Sequence, residues 1–362
     1  MVSRLILHVI VLGMLLLTQA LSITIGDISS TQIPPNHLSE TGLYVNIDSK
    51  TIAPGNLMFA PQYPLWSDGA MKKRWIYLPP KQTIDAKKID DWVFPVGTKF
   101  WKEFTFGKRV ETRYLKKVAK SSWIFGVYIW NDDETDAVLV SEKGLKNYVQ
   151  ITAGVRHDIP SIKDCKACHD GQGRDVVLGF NALQLSPARD PNALHSEQFT
   201  HDMINFNDLI KRKRISNVSK RFIANPPIID AVSPRARAAL GYLHSNCGGC
   251  HNSTDPLSSV GMFLKYKLAN NSNQIKLSTV VGHKSKYKIP NFPGDQSFRI
   301  LPGDPARSVV TYRMGTRNPY IQMPPLGTKI IDTMALNLIT TWIKEDLAKG
   351  ETAQFFHNQQ GR

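Results

Sequence analysis

The chain has 362 residues, of which 42% are hydrophobic and 21% charged, a globular composition long enough for two or three domains. It carries neither a low-complexity tract nor a solenoid repeat, which excludes a repeat protein. Lysine and arginine outnumber aspartate and glutamate by 45 to 30, giving a net charge of +15 that favours acidic partners or membrane surfaces.

The first twenty residues, MVSRLILHVIVLGMLLLTQA, predict a secretory signal peptide. Arg4 precedes an apolar run, and Thr18 and Ala20 supply small side chains, so we expect cleavage after Ala20, with an uncleaved anchor as the alternative. No later run of 18 apolar residues exists, so we expect a mature protein that is exported to the periplasm and not integral to the membrane. An exported protein is a poor partner for nucleic acid.

Residues 21–150 predict a β-rich domain. Several segments alternate apolar with polar residues or form short aromatic runs, and turn residues such as Gly107 separate them. Short strands at this spacing favour an antiparallel β-sandwich or barrel. The segments are KRWIYLPP, TKFWKEFTF, RVETRYLKKV, SWIFGVYIW and DAVLVSEK.

After residue 150 the pattern becomes helical. Ser233 is a suitable N-cap and Pro234 a suitable first residue for a helix through RARAALGYLHS. Asp332 is a suitable N-cap for a last helix that ends near Gly350. Two sets of apolar residues each fall on one helical face: Phe199, Met203, Phe206 and Ile210, and then Leu336, Ile339, Ile343 and Leu347.

All the cysteines lie in two C-x-x-C-H motifs, Cys165, Cys168 and His169 in CKACHDG and Cys247, Cys250 and His251 in SNCGGCHN. Disulfides, redox dithiols and half of a Cys₄ zinc site are alternatives for such pairs. None of them needs a histidine directly after the second cysteine. Covalent haem c does, because two thiols bind the porphyrin and the adjacent imidazole ligates the iron. We therefore expect two covalently bound haem c groups.

A sixth iron ligand is expected from the second half of the chain. A thioether is a soft ligand for haem iron, and Met323 stands in YIQMPPLG, where two prolines stiffen an extended loop. Met334 and Met262 are predicted to pack in a helix and a strand instead. Met323 is thus the expected distal ligand of the second haem.

The first haem has several candidate distal ligands. Met203 is one, although a core methionine is the alternative interpretation. His201, His195 and His157 are the others. An open iron site is also compatible with the sequence, and it would bind peroxide or another small molecule.

Many segments in order resemble an uncharacterised family of bacterial di-haem c-type cytochromes with an N-terminal β domain. The resemblance spans roughly residues 41–347 and implies haem binding, electron transfer, both motifs as attachment sites and Met323 as an axial ligand. It leaves the distal ligand of the first haem undefined. This chain differs in the GG spacer of its second motif and in lacking a proline after His251. Besides the two motifs, the resemblance rests on YPLWSDGAMKKRWIYLP, WVFPVGTKFWKEF, VETRYL, VYIWNDDETDAVLV, LGFNALQL, LPGDPARSVVTYRM and MPPLG.

The order of helix, C-x-x-C-H motif, Met loop and last helix also resembles a class I cytochrome c domain. We therefore expect an α+β multidomain protein in which an antiparallel β-sandwich or barrel-like domain precedes mainly α-helical haem domains. The expected boundaries are a signal peptide at 1–20, the β-rich domain at 21–150, a first haem c region at 151–228 and a class I cytochrome c-like domain at 229–362.

The sequence is compatible with three functions. The leading one is single-electron transfer between periplasmic redox proteins, with an acidic partner expected from the excess of lysine and arginine. The second is a di-haem peroxidase or oxidase, in which the second haem feeds electrons to a reactive first haem. The third is a binding module in which the β domain recognises a partner through WSDGAMKKRW.

Overall fold

The computed structural model describes residues 33–169, 176–254, 256–269, 277–293 and 295–349. The predicted signal peptide lies outside these residues. A six-stranded antiparallel sheet, in the order β3-β4-β6-β7-β8-β9, is the largest element. The strands are β1 (Tyr44–Asn46), β2 (Thr51–Ile52), β3 (Asn56–Met58), β4 (Met71–Tyr77), β5 (Ile84–Asp85), β6 (Lys99–Phe106), β7 (Lys108–Ala119), β8 (Ser122–Trp130), β9 (Ala137–Leu139), β10 (Leu145–Thr152), β11 (Val155–Ile159) and β12 (Ile215–Ser216).

The five segments with strand patterns all form strands of this sheet, β4, β6, β7, β8 and β9. Their period of two gives the sheet two different faces. On one face Trp75 and Trp101 pair across β4 and β6 and pack against Leu38 and Leu43 from the N-terminal segment. The opposite face is therefore left for the second half of the chain.

Smaller sheets attach to this core. Strands β1 and β2 pair antiparallel, as do β10 and β11. Strands β5 and β12 pair parallel, with Ile84 opposite Ile215. This last pair ties the β-rich segment directly to the segment that follows the first cysteine motif.

The helices are short. Their bounds are α1 (Ile162–His169), α2 (Phe206–Lys211), α3 (Lys220–Ala224), α4 (Pro234–Asn246), α5 (Val309–Met314) and α6 (Thr333–Thr341), which continues through a π-helical stretch (Trp342–Asp346) into α7 (Leu347–Lys349). Single 3₁₀ turns occur at Leu38–Thr41, Pro256–Val260 and Leu277–Thr279.

Two predicted helix starts are confirmed. The Ser233 hydroxyl accepts a hydrogen bond from the Ala236 amide, with Pro234 as the first helical residue of α4. The Asp332 carboxylate accepts one from the Ala335 amide at the start of α6. The predicted end near Gly350 lies outside the described residues.

The predicted fold class is wrong. The protein is mostly β, and the parts expected to be mainly α-helical haem domains consist of a few short helices joined by long loops. The helix expected to carry Phe199 and Met203 begins only at Phe206, because the Asn205 side chain accepts from the Asp208 amide and caps it there. Prolines at 290, 293, 302 and 305 deny amide donors and helical backbone to the segment before α5.

One hydrophobic core runs from the sheet into the last helix. Phe59, Phe100 and Phe180 form edge-to-face ring pairs with centroids 4.7 to 6.3 Å apart. The same cluster contains Trp342, which is 1% exposed, and Leu243 of α4. The predicted domain boundaries at 150 and 228 stay a prediction. Among the described residues, no helix has the length and apolarity that crossing a membrane requires.

Candidate functional site

The first cysteine motif forms the end of helix α1. The helix follows the β10–β11 hairpin, and the Asp164 carboxylate accepts from the Ser161 amide (2.9 Å) and hydroxyl (2.8 Å) to fix its start. Cys165 packs against Val110 and Ile159 beside the central sheet. The motif is thus held by the sheet, with no separate helix in front of it.

The second motif follows helix α4. The Cys247 amide donates to Leu243 at the helix end, and the His251 amide donates back to the Cys247 carbonyl at 2.8 Å. The turn is tight at Gly248, where an added Cβ would lie 2.5 Å from the His244 carbonyl oxygen and 2.8 Å from Lys265 Cα. A glycine at position 248 of the spacer is therefore demanded by this backbone approach.

No disulfide joins any of the four described cysteines. Burial raises the pKa of Cys165 to about 11 and that of Cys247 to about 12. Redox-active dithiols need a lowered thiol pKa, so this pattern disfavours the dithiol interpretation. Among the described residues, no group of three or more histidine, cysteine or acidic side chains is placed to hold a metal ion.

A single cavity of about 1000 Å³ joins the two motifs. This volume is at the upper end for ligand pockets in proteins. The sequence-predicted residues on its wall are Cys165, Cys168, His169, Cys247, Cys250, His251 and Met323. The fold therefore brings together motifs that lie far apart in the sequence.

The imidazole of His169 is oriented for ligation. Its Nδ1 lies 2.5 Å from the Val176 carbonyl oxygen, so Nδ1–H donates and Nε2 keeps its lone pair. Burial lowers the pKa of His169 to about 4, which keeps the ring neutral. Ligating histidines in metalloproteins characteristically donate the other ring N–H to such a carbonyl.

His244 lines the same cavity but is arranged as a donor. Its Nδ1 accepts from the Tyr266 amide at 3.0 Å, so Nε2 carries the proton. Burial lowers the pKa of His244 to about 3, and the ring stays neutral. An N–H donor of this kind suits an acceptor atom of a ligand and not a metal ion.

The methionines separate by position. Met323, Met262 and Met314 all line the cavity, whereas Met334 is 58% exposed on α6. Met203 is not among the described residues that line the cavity. It lies beside β3, where its backbone forms a bridge with Met58.

The candidate histidines for the first haem have different surroundings. His157 lines the cavity, and its Nε2 lies 3.0 Å from Glu111 Oε1. The Nε2 of His195 lies 2.8 Å from Asp332 Oδ2, and its ring packs behind Trp66 of the cavity wall without lining the cavity itself, whereas His201 is exposed. His157 is thus the histidine among these three that the fold brings to the first motif.

The Met323 loop is fastened to the β-rich segment. Asp68 accepts hydrogen bonds from the amides of Lys329 (2.8 Å) and Ile330 (2.9 Å), and the indole of Trp66 donates to the Ile330 carbonyl. The Trp66 amide donates to Asn246 at the end of α4. The WSDG segment therefore uses its polar groups inside the molecule, which weakens the binding-module interpretation.

The cavity is strongly basic. Of the two arginines in LPGDPARSVVTYRM that could pair with a haem propionate, Arg313 lines the cavity, while Arg307 pairs with Asp304. Its described acidic residues are Asp68, Asp158 and Asp164, and its basic ones are Arg74, Lys102, Arg113, Lys146, Lys265, Lys286, Arg299, Arg313, Arg317 and Lys329. Three basic residues of the sheet, Arg74, Lys102 and Arg113, were not predicted to line a site, although they alternate with aromatic residues in the sequence.

The residues present fit haem c. Each end of the cavity offers two thiols and a neighbouring histidine, and His169 presents a neutral imidazole nitrogen. Met323 offers a soft sulfur, and the basic wall suits the carboxylates of a porphyrin. Comparisons with protein-family models, curated proteins and solved structures found no match. The function is therefore argued from the site.

Proposed function

We propose that this chain is an exported di-haem c-type cytochrome that transfers single electrons between redox partners in the periplasm. The observation that carries the proposal is the convergence of both C-x-x-C-H motifs and Met323 on one cavity. Two cofactors held in one cavity would be near each other, so an electron could pass between them inside the protein.

The residues have distinct tasks in this proposal. Cys165, Cys168, Cys247 and Cys250 would tether the porphyrins, and His169, His251 and Met323 would ligate the iron. When bound, haem c supplies reversible one-electron chemistry. The polypeptide keeps the iron ligands fixed and excludes water with apolar wall residues such as Phe125 and Leu264.

Charge complementarity selects the partner. The chain carries +15, so an acidic redox protein would be steered towards it at low ionic strength. Export is supported by the signal-like first twenty residues, with cleavage expected after Ala20. No nucleic-acid partner is proposed.

The experiment is a potentiometric redox titration of the purified mature protein. We expect two reversible one-electron steps per chain within the physiological range. A protein whose colour does not respond to potential in that range is incompatible with electron transfer.

A di-haem peroxidase or oxidase is the second candidate, and one observation favours it. Glu111, His157 and Arg113 form a hydrogen-bonded set close to Cys165, which supplies acid and base groups that the sequence did not reveal. Burial opposes ionisation of Glu111, but Arg113 and His157 outweigh it and hold its pKa below the usual range.

Spectroscopy separates the two candidates. A high-spin first haem whose spectrum changes on adding peroxide or cyanide supports the enzyme. Two low-spin haems that ignore both reagents support the relay. Replacing His157 with glutamine changes turnover only if the enzyme is correct.

A further inference from the structure

Where the central sheet lines the cavity, basic side chains outnumber the carboxylates that face them. We propose that Lys102, together with Arg113 and Arg74, forms a binding site for a carboxylate group inside the cavity. Nothing in the motifs predicts this site, because its residues come from three strands of the central sheet.

Strand register places the three side chains in one row. Arg74 on β4 is opposite Lys102 on β6, and Lys102 is opposite Arg113 on β7. Residues that are paired across antiparallel strands project from the same face, and this face lines the cavity. The Phe104 ring brings two head groups together, with Lys102 Nζ 4.8 Å and Arg113 Cζ 4.3 Å from its centroid.

The partners of the three cations differ. Arg74 donates to Glu197 at 2.9 Å, and Arg113 donates twice to Glu111, at 2.6 and 3.2 Å. For Lys102, no residue that the structure describes accepts a hydrogen bond or forms an ion pair. Its amino group is thus available to a ligand.

Burial makes this imbalance costly. Arg74 is 6% exposed and Glu111 is fully buried, so charges on this face are poorly hydrated. Burial lowers the pKa of Lys102 well below its ordinary value, with repulsion from Arg74 and Lys72 adding to the effect. Four basic side chains, Lys72, Arg74, Lys102 and Arg113, face three carboxylates here, Glu111, Glu197 and Asp332.

A carboxylate suits this geometry. It is planar and accepts charge-assisted hydrogen bonds from guanidinium and ammonium groups at once. Its source is either a propionate of the first haem or a free small carboxylate that enters the cavity. The propionate form rests on the proposed function, whereas the free-carboxylate form does not.

The test uses the full mature chain prepared without haem and titrated calorimetrically with succinate. We expect Lys102→Met to weaken succinate binding at least about tenfold, the usual value of a hydrogen bond to a charged group. Lys102→Arg keeps a positive charge and should weaken succinate binding less than Lys102→Met does. Lys73→Met, which removes an exposed lysine of β4 that does not line the cavity, leaves it unchanged.

A second arm identifies the source. Haemin and its dimethyl ester are titrated into the same proteins. Tighter binding of haemin than of the ester, in wild type but not in Lys102→Met, assigns the site to a propionate. Succinate binding to the haem-loaded protein that depends on Lys102 assigns it to a free carboxylate.

Equal affinities of folded Lys102→Met and wild type for succinate and haemin would overturn the proposal. The proposal would also be overturned if the wild-type chain bound no succinate and bound haemin no more tightly than its dimethyl ester. That result needs no variant. Lys102→Gln replaces Lys102→Met if circular dichroism shows that the latter is unfolded. A chain that acquires no haem in a maturation-competent host defeats the proposed function but leaves the succinate result standing.

Discussion

At the residue scale, three methionines line one cavity, and their backbone settings distinguish them. Met323 lies in a segment whose backbone is held at both ends, by the Arg313 carbonyl on its own amide and by Asp68 beyond it. Met314 is 6% exposed in the core cluster, and Met262 packs against that cluster. The held loop favours Met323 as the ligand.

Met323→Ala is expected to remove the methionine-ligated low-spin spectrum of one haem. Its reduction potential falls by a fraction of the roughly 0.8 V that axial ligands span, because a thioether ligand raises the potential. Redox titration with visible spectroscopy measures both effects. The control is Met334→Ala on exposed α6. Loss of the signal in Met262→Ala or Met314→Ala, with Met323→Ala unaffected, would contradict the assignment.

Lys72 gives a pH dependence of known sign. Burial, with Arg74 adding repulsion, lowers the pKa of Lys72 to about 8, below the roughly 10.4 of an unfolded lysine. Between these two pKa values the unfolded chain binds more protons than the folded chain, so the free energy of unfolding increases as pH rises. Wild type should gain about 3 kcal/mol relative to Lys72→Met between pH 8 and 10.5.

Urea unfolding across this pH range, in buffers without small carboxylates, measures the difference. Lys73→Met, at an exposed position on the same strand, is the control and should follow wild type. If the free energies of unfolding of wild type and Lys72→Met changed with pH in parallel, burial would not disfavour the charged form of Lys72.

At the scale of elements, helix α4 must lie close to the β-rich segment to place Cys247. A Cβ added at Gly241 would fall 2.1 Å from a ring carbon of Tyr63. That ring is 4% exposed, and its hydroxyl donates to Asp190 at 3.1 Å, so it has little room to move. The glycine is therefore a packing requirement within a helix.

Gly241→Ala should destabilise the protein by about 1–3 kcal/mol, because overpacking outweighs the roughly 1 kcal/mol that alanine adds to helix propensity. Chemical denaturation measures the effect. In a double-mutant cycle with Tyr63→Leu, the alanine should cost less once the ring is gone. A more stable Gly241→Ala variant would refute the close contact.

The Asp68 contact connects the β-rich segment to the Met323 loop. Asp68→Ala leaves the Lys329 and Ile330 amides without their acceptor and should cost about 2–3 kcal/mol. Hydrogen exchange at these two amides should accelerate. Asp133→Ala, at an exposed position, is the control. Unchanged exchange at both amides would show that the loop is held by other contacts.

At the scale of the whole molecule, the local parts of the structure follow from local sequence. The strands near Trp75 and Trp101 and the caps at Ser233 and Asp332 were predictable, because period-two alternation and capping side chains act within a few residues. The helix expected around Met203 was not formed. The apolar residues do recur at helical spacing, but Asn205 caps a helix that begins at Phe206, and the residues before it form a loop.

The motif residues and Met323 on the cavity wall could be predicted from the sequence, but the rest of the wall could not. The cysteines and histidines of the motifs and Met323 were visible as residue types at fixed spacing. The contribution of Lys102 and Arg113 depends on strand register, and that of Asp68 on a contact with a distant loop. Such long-range placement follows from packing of the whole chain, which one continuous core from Phe59 to Leu347 achieves.

Covalent haem content tests the central claim most directly. The mature chain from a host with cytochrome c maturation is measured by pyridine haemochrome absorbance and intact mass. We expect two haems per chain, falling to one when Cys165 and Cys168, or Cys247 and Cys250, are replaced by alanine. A colourless protein with the mass of the bare polypeptide would contradict it.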